Sequence, residues 1–138
     1  MASSILQPVV ALILWSLVMW AWLYATRIPA MQKAKIDPQS VKIAGTGRGL
    51  LPPGVEQVAN NYNHLMEQPT IFYALVFYIF LVGHSDPTHI WLAWAYVALR
   101  IAHTLIQCTA NIVNLRFSVF ALSTLVLMVM AIRELLAL

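Results

Sequence analysis

Six polar residues between positions 100 and 114 recur at a helical spacing inside a largely apolar stretch. They are Arg100, His103, Thr104, Gln107, Asn111 and Asn114. At about 100° per residue, they fall on one helical stripe that is roughly 100° wide. A cationic side chain in a membrane helix is costly, and it usually faces a partner or a water-filled cavity. The stripe therefore predicts a polar pocket or a polar contact with another helix.

A second polar stripe repeats this spacing earlier in the chain. It consists of Asn60, Asn63, His64 and Glu67, which lie three or four residues apart on one side of a helix. Two such stripes predict helices that face each other across a polar pocket. Interhelical hydrogen bonding without any chemistry explains the pattern about equally well.

The composition is that of an integral membrane protein. Of the 138 residues, 61% are hydrophobic and 9% are charged, whereas soluble domains carry about 25% charged residues. The net charge of +3 does not indicate nucleic-acid binding, because most of the Lys and Arg residues lie in one inter-helix segment. A single cysteine, Cys108, permits no intrachain disulfide.

Four apolar segments predict an all-α fold, an integral membrane four-helix bundle formed by one domain over residues 1–138. Each segment is long enough to cross a hydrocarbon core of about 30 Å. The helix that contains the second span begins near residue 55. The predicted spans cover about residues 7–26, 65–83, 88–109 and 116–136.

Local signals refine the second and third helices. Pro69 should bend the second helix just beyond Glu67, because proline removes a backbone hydrogen bond. Asp86 and Pro87 are a typical N-cap and first-turn pair for the third helix. His84 and His89 flank the preceding turn, but two histidines without a carboxylate are more typical of surface residues than of a metal site. No metal site is therefore predicted.

The distribution of basic residues predicts the orientation in the membrane. Residues 27–54 carry five of the eight Lys and Arg residues, so the positive-inside rule places this segment in the cytoplasm and both termini outside. The glycines at 45–49 suggest a flexible loop rather than a phosphate-binding loop, because no strand precedes them and no Lys-Ser/Thr pair follows.

This topology brings both polar stripes and Arg116 into the cytoplasmic half of the bundle. Glu67 and Arg100 are expected to pair there, because either charge alone would be costly in hydrocarbon. The pocket would receive an anionic ligand from the cytoplasm and an apolar partner from the lipid.

On these residues the chain resembles the MAPEG family, the membrane-associated proteins in eicosanoid and glutathione metabolism. The resemblance is carried by NNYNHLMEQPTIFYAL at residues 60–75 and by LRIAHTLIQ at residues 99–107. The second-helix motif of the family is close to R-A-x-x-N-x-x-E. Glu67 matches its acidic residue and His64 takes its asparagine position, while Arg100, His103 and Thr104 match the third-helix motif.

The resemblance implies a homotrimer that binds glutathione between protomers at the cytoplasmic side. Arg116 stands in the place of the arginine that stabilises the glutathione thiolate in catalytic members. Asn60 replaces an arginine of many catalytic members, and Gln107 replaces a tyrosine of some. The implied glutathione-binding residues are Asn60, Asn63, His64, Glu67, Arg100, His103 and Gln107.

These observations predict a glutathione-dependent transferase or peroxidase that acts on apolar electrophiles or lipid hydroperoxides. Glutathione would be the co-substrate, and the lipid bilayer and a small apolar substrate would be the other partners. The alternative is a non-catalytic protein of the same fold that assembles or binds lipid, which the missing arginine at Asn60 favours. A small multidrug transporter is disfavoured, because residues 9–25 contain no charge.

Overall fold

A computed structural model describes residues 2–35 and 51–138. These residues form a short 3-10 helix, Ala2–Ile5, and five α-helices, with no strand among them. The helices are α1 (Leu6–Lys33), α2 (Pro53–Leu65), α3 (Gln68–Leu81), α4 (Pro87–Gln107) and α5 (Val113–Leu136). The predicted all-α class is confirmed, whereas the glycine-rich segment at 45–49 lies outside the described residues.

Four helical segments are long and apolar enough to cross a membrane. They are α1, the pair α2 and α3, α4, and α5. We call the end of the bundle where α2 begins and α4 leads into α5 the loop end. The opposite end, where α3 leads into α4 and α5 finishes, is the terminal end.

The first helix is longer than the predicted first span. It continues past Arg27 to Lys33, with Pro29 inside the helix. The hydroxyl of Thr26 donates to the carbonyls of Trp22 at 3.0 Å and Leu23 at 3.1 Å. The first basic residue marks where the apolar run stops, but helical hydrogen bonding does not require an apolar environment. The helix therefore extends beyond the predicted end of the span.

Pro69 breaks the second span into two helices. α2 ends at Leu65 and α3 begins at Gln68, and Glu67 between them has ψ −88°. Proline has no N–H, so the usual bond to the carbonyl four residues earlier is missing. At the start of α3, the carbonyl of Glu67 accepts a hydrogen bond of 2.6 Å from the Thr70 hydroxyl. The helix is disrupted near Pro69 as predicted, but the disruption is a break at Met66 and Glu67 rather than a bend beyond Glu67.

The turn between α3 and α4 follows the predicted capping pattern. Asp86 is the N-cap of α4, and its Oδ1 accepts a hydrogen bond of 2.8 Å from the backbone N–H of His89. Pro87 occupies the first turn. Gly83 has φ +79°, which glycine adopts readily. The turn therefore returns the chain tightly into the bundle.

Side-chain hydrogen bonds fix how α1, α2 and α4 pack. The Thr104 hydroxyl accepts from Trp15 Nε1 at 3.2 Å and from Asn61 Nδ2 at 3.1 Å. It also donates to the backbone carbonyl of Arg100 at 3.1 Å. Interhelical bonds of this kind are a recurrent means of association in membranes. They orient the polar stripe of α4 toward α2.

A second set of bonds joins the break in the second span to α4 and α5. Gln68 Nε2 donates to the Thr124 hydroxyl at 3.0 Å, and the Tyr96 hydroxyl donates to Gln68 Oε1 at 3.0 Å. Tyr96 also stacks on Phe72, with ring centroids 4.5 Å apart. These contacts hold α4 at the centre of the bundle, while exposed apolar side chains such as Leu17 and Leu122 face outward. Such an outer surface suits a lipid bilayer.

Candidate functional site

A pocket of about 380 Å³ lies near the loop end, between α2, α4 and α5. Five of its lining residues belong to the predicted site, namely Asn60, His64, His103, Gln107 and Arg116. α2 and α4 thus bring part of each predicted stripe to one cavity, whereas Asn111 and Asn114 of the later stripe lie beyond the end of α4 at Gln107. The remaining predicted residues, Asn63, Glu67 and Arg100, do not line it.

The third wall of the pocket is apolar and was not predicted. Val113, Phe117 and Phe120 line it from α5. They recur at i, i+4 and i+7, so they share one face of the helix with Arg116. This periodicity was visible in the sequence, but it does not distinguish a pocket wall from a lipid-facing surface.

Arg116 lies in the first turn of α5, where it is half-buried. Its Nη1 donates to Asn111 Oδ1 at 2.8 Å. Asn111 has φ +49°, a left-handed conformation that asparagine tolerates, and it belongs to the turn between α4 and α5. A guanidinium carries five N–H donors. The bond to Asn111 therefore orients Arg116 and leaves donors for an anion in the pocket.

Arg100 is fully buried behind the pocket. Its Nη2 lies 2.8 Å from His64 Nδ1, and its guanidinium carbon is 5.6 Å from the centre of the Phe120 ring. The rings of His64 and His103 stack with centroids 5.0 Å apart. Arg100 thus supports the two pocket histidines and does not reach the cavity itself.

The predicted pair between Glu67 and Arg100 is wrong for the described chain. Glu67 is exposed, and Arg100 contacts His64 instead. The physical reason is the break at Pro69, which makes Glu67 the N-cap of α3 rather than a continuation of the α2 stripe. Asn63 is also exposed, on the outer surface of α2.

The pocket contains no cysteine among its lining residues. Cys108, just after α4, is half-buried, and burial raises the pKa of its thiol to about 11. The thiolate is the nucleophilic form, so the raised pKa keeps the Cys108 thiol protonated at neutral pH.

At the terminal end, Glu134 joins α5 to α4 and to the preceding turn. Its carboxylate lies 2.7 Å from His84 Nδ1 and 3.0 Å from His89 Nε2. Glu134 and His89 are buried. The premise that these histidines have no carboxylate partner was therefore wrong. Each carboxylate oxygen is engaged by one imidazole, and no metal-binding group of three or more such residues occurs in the described ranges.

Replacing Glu134 by alanine is expected to destabilise the protein by about 2–3 kcal/mol, because a buried histidine then loses a charged hydrogen-bond partner. Glutamine at this position is the control, since its amide accepts from one ring and donates to the other. Glu134→Gln should therefore lower the free energy of unfolding by less than Glu134→Ala. Unfolding of the detergent-solubilised protein measures both changes, and equal losses for alanine and glutamine would contradict the assignment.

Asp86 adds a second contact at this end, and it predicts a dependence of stability on pH. Arg133 donates two hydrogen bonds to its carboxylate, at 3.1 Å and 2.7 Å. These bonds, together with the His89 N–H, lower the pKa of Asp86 from 3.8 to about 2. The stabilisation is complete above the unfolded pKa and is lost as the pH falls through about 2.

Melting temperatures between pH 5 and pH 2 should therefore fall more steeply for the native protein than for Asp86→Asn, which has no carboxylate to protonate. Parallel curves for the two proteins would show that the Arg133 contact contributes nothing measurable.

The bundle and its pocket together define a class, an integral membrane protein with a polar site at one end of its transmembrane helices. The sequence model of the MAPEG family matches residues 5–136. The chain belongs to the MAPEG family. No curated protein and no solved structure matches it.

Proposed function

We propose that the protein is a glutathione-dependent transferase or peroxidase that acts on apolar electrophiles or lipid hydroperoxides. Membership of the MAPEG family supports a glutathione-related membrane function at the level of the family. The observation that carries the more specific proposal is the pocket, where four polar residues of α2 and α4 lie opposite Arg116 and the apolar wall on α5.

Arg116 would act on the sulfur of bound glutathione. A thiol with a pKa of about 8.5 is mostly protonated at neutral pH, and a nearby guanidinium favours the thiolate. In conjugation, the thiolate forms a carbon–sulfur bond and the leaving group departs with its electron pair. In hydroperoxide reduction, two glutathione thiols are oxidised to the disulfide, and ROOH becomes ROH and water. Both reactions begin from the same stabilised thiolate.

The apolar wall supports an apolar second substrate. Phe117 lines the pocket and is 67% exposed at the outer surface of the bundle. A molecule dissolved in the bilayer would therefore reach the cavity past α5, while glutathione enters at the loop end. The polar residues Asn60 and Gln107 would bind the peptide through hydrogen bonds.

Two specific assays test this proposal. The purified protein is given glutathione with a chloronitrobenzene electrophile, and separately with an organic hydroperoxide. Arg133→Ala is the matched control, because it removes an arginine from the far end of α5. We expect turnover in at least one assay, retained in Arg133→Ala and lost in Arg116→Ala. Absence of turnover in both assays would support the non-catalytic alternative, which Asn60 favours because, among residues 2–35 and 51–138, Arg116 is the single Lys or Arg that lines the pocket.

The assembly and orientation are also proposals. We propose a homotrimer, as the resemblance to the MAPEG family implies, and a partner protomer would also shield the exposed Glu67 from lipid. The mass of the detergent-solubilised particle tests the trimer, and the mass of a monomer would contradict it.

We also propose that residues 27–54 face the cytoplasm. Protease access to the segment after Lys33 in oriented vesicles tests this orientation.

A further inference from the structure

The hydrogen bond between Arg100 and His64 has a direction that the chemistry of the two side chains determines. Arg100 Nη2 is 2.8 Å from His64 Nδ1. A guanidinium donates hydrogen bonds and has no acceptor, so Nδ1 of His64 accepts. A neutral imidazole that accepts through Nδ1 carries its proton on Nε2. The contact therefore selects one tautomer of His64.

Because Arg100 is buried, breaking its hydrogen bond to His64 would cost free energy. The side chain has no exposed surface, and its Nε and Nη1 atoms have no hydrogen-bond partner among residues 2–35 and 51–138. Losing His64 as acceptor would leave a further buried donor unsatisfied, which is costly. Protonation of His64 on Nδ1 would also place a second positive charge against the guanidinium.

The other groups near the ring reinforce its neutral form. Arg116 from α5 and Arg100 from α4 are both cationic, and His103 from α4 stacks on the ring. Glu67, beyond the end of α2, is the one acidic group that acts on His64 within the described part of the chain. It is exposed and makes no ion pair there.

We propose that Arg100 is a positioning residue that holds His64 as a neutral imidazole with its Nε2–H available to the pocket. His64 lines the pocket beside Arg116, and Nε2 has no hydrogen-bond partner among the described residues. It would donate to an anionic oxygen or sulfur of the ligand, a role that rests on the proposed function. The same tautomer presents no lone pair to the pocket, so His64 does not act as the base that deprotonates the thiol.

The tautomer can be measured without any ligand. Nitrogen-15 spectra of histidine-labelled protein, with His64 assigned by loss of its signals in His64→Asn, distinguish the two tautomers and the imidazolium. We expect the Nε2–H form at pH 8 and at pH 6, although a free histidine of pKa about 6.5 is mostly protonated at pH 6. An imidazolium at pH 6, or an Nδ1–H tautomer at either pH, would overturn the proposal.

Variants of Arg100 test whether its guanidinium holds His64 in the neutral Nε2–H form. Arg100→Met removes the donor, so signals of the Nδ1–H tautomer or of the imidazolium should appear for His64 at pH 6, whereas Arg100→Lys keeps a donor and should preserve the Nε2–H form. If Arg100→Met does not fold, the Lys variant and the native protein still decide the outcome. An unchanged His64 spectrum in folded Arg100→Met would show that Arg100 does not set the tautomer.

Glutathione binding by the His64 variants separates this inference from the proposed function. His64→Leu should weaken binding about tenfold, because a hydrogen bond to an anion is lost. His64→Asn keeps a donor and should bind within a few-fold of the native protein. Equal binding by the native protein, His64→Leu and His64→Asn would overturn the donor role alone. If glutathione does not bind the native protein, the proposed function fails, and the donor role toward glutathione fails with it. The tautomer assignment is then decided by the spectra.

Discussion

Replacing Arg116 by alanine is expected to lower glutathione-dependent turnover by about 100-fold, the usual size of the loss when one preorganised donor to a developing anion is removed. Arg116 is the cation that lines the pocket. Its loss would leave bound glutathione mostly as the thiol at neutral pH. Initial rates with saturating glutathione, together with the ultraviolet absorbance of the thiolate, measure this effect.

Two controls make the Arg116 result specific. Arg116→Lys keeps the positive charge and should retain more thiolate than alanine, although it cannot reproduce the planar guanidinium. The bond to Asn111 involves a charged donor that is only half-buried and contributes about 1.5 kcal/mol to stability, so Arg116→Ala should remain folded. A folded Arg116→Ala protein with native turnover would remove Arg116 from the mechanism.

Replacing Phe72 by alanine is expected to cost about 3–5 kcal/mol of stability, the usual range for a buried phenylalanine. Phe72 has no exposed surface, and its ring stacks on Tyr96 with 13° between the planes. The cavity would open between α3 and α4, close to the bonds that Gln68 makes. Unfolding in mixed detergent micelles measures the loss.

Phe77 provides the matched control for this substitution. It lies on the same helix and is 46% exposed, so Phe77→Ala should cost much less. A similar cost for both replacements would mean that Phe77 is covered by another copy of the chain, or that the packing of α3 is not as described.

Local sequence signals predicted the features of the fold that depend on neighbouring residues. Pro69 lacks a donor and Asp86 supplies an acceptor whatever surrounds them, and both act as predicted. The 3.6-residue period likewise placed Asn60, His64, His103 and Gln107 on facing stripes, and these four residues meet at the pocket.

Features that depend on distant packing were missed for identifiable reasons. Opposite charge suggested that Glu67 pairs with Arg100. The helix break instead makes Glu67 the N-cap of α3, and Arg100 forms its hydrogen bond with His64. Glu134 meets His89 because the end of α5 packs beside the start of α4. Phe117 and Phe120 are apolar, so in the sequence they look the same as residues that face lipid.

Titration calorimetry of the purified native protein with glutathione tests directly whether the pocket between α2, α4 and α5 binds this tripeptide. We expect a saturable heat at up to millimolar ligand, accompanied by a rise in melting temperature. Asn60→Leu and Gln107→Leu, which change lining residues, should weaken it. No heat and no thermal shift at millimolar glutathione would contradict the account.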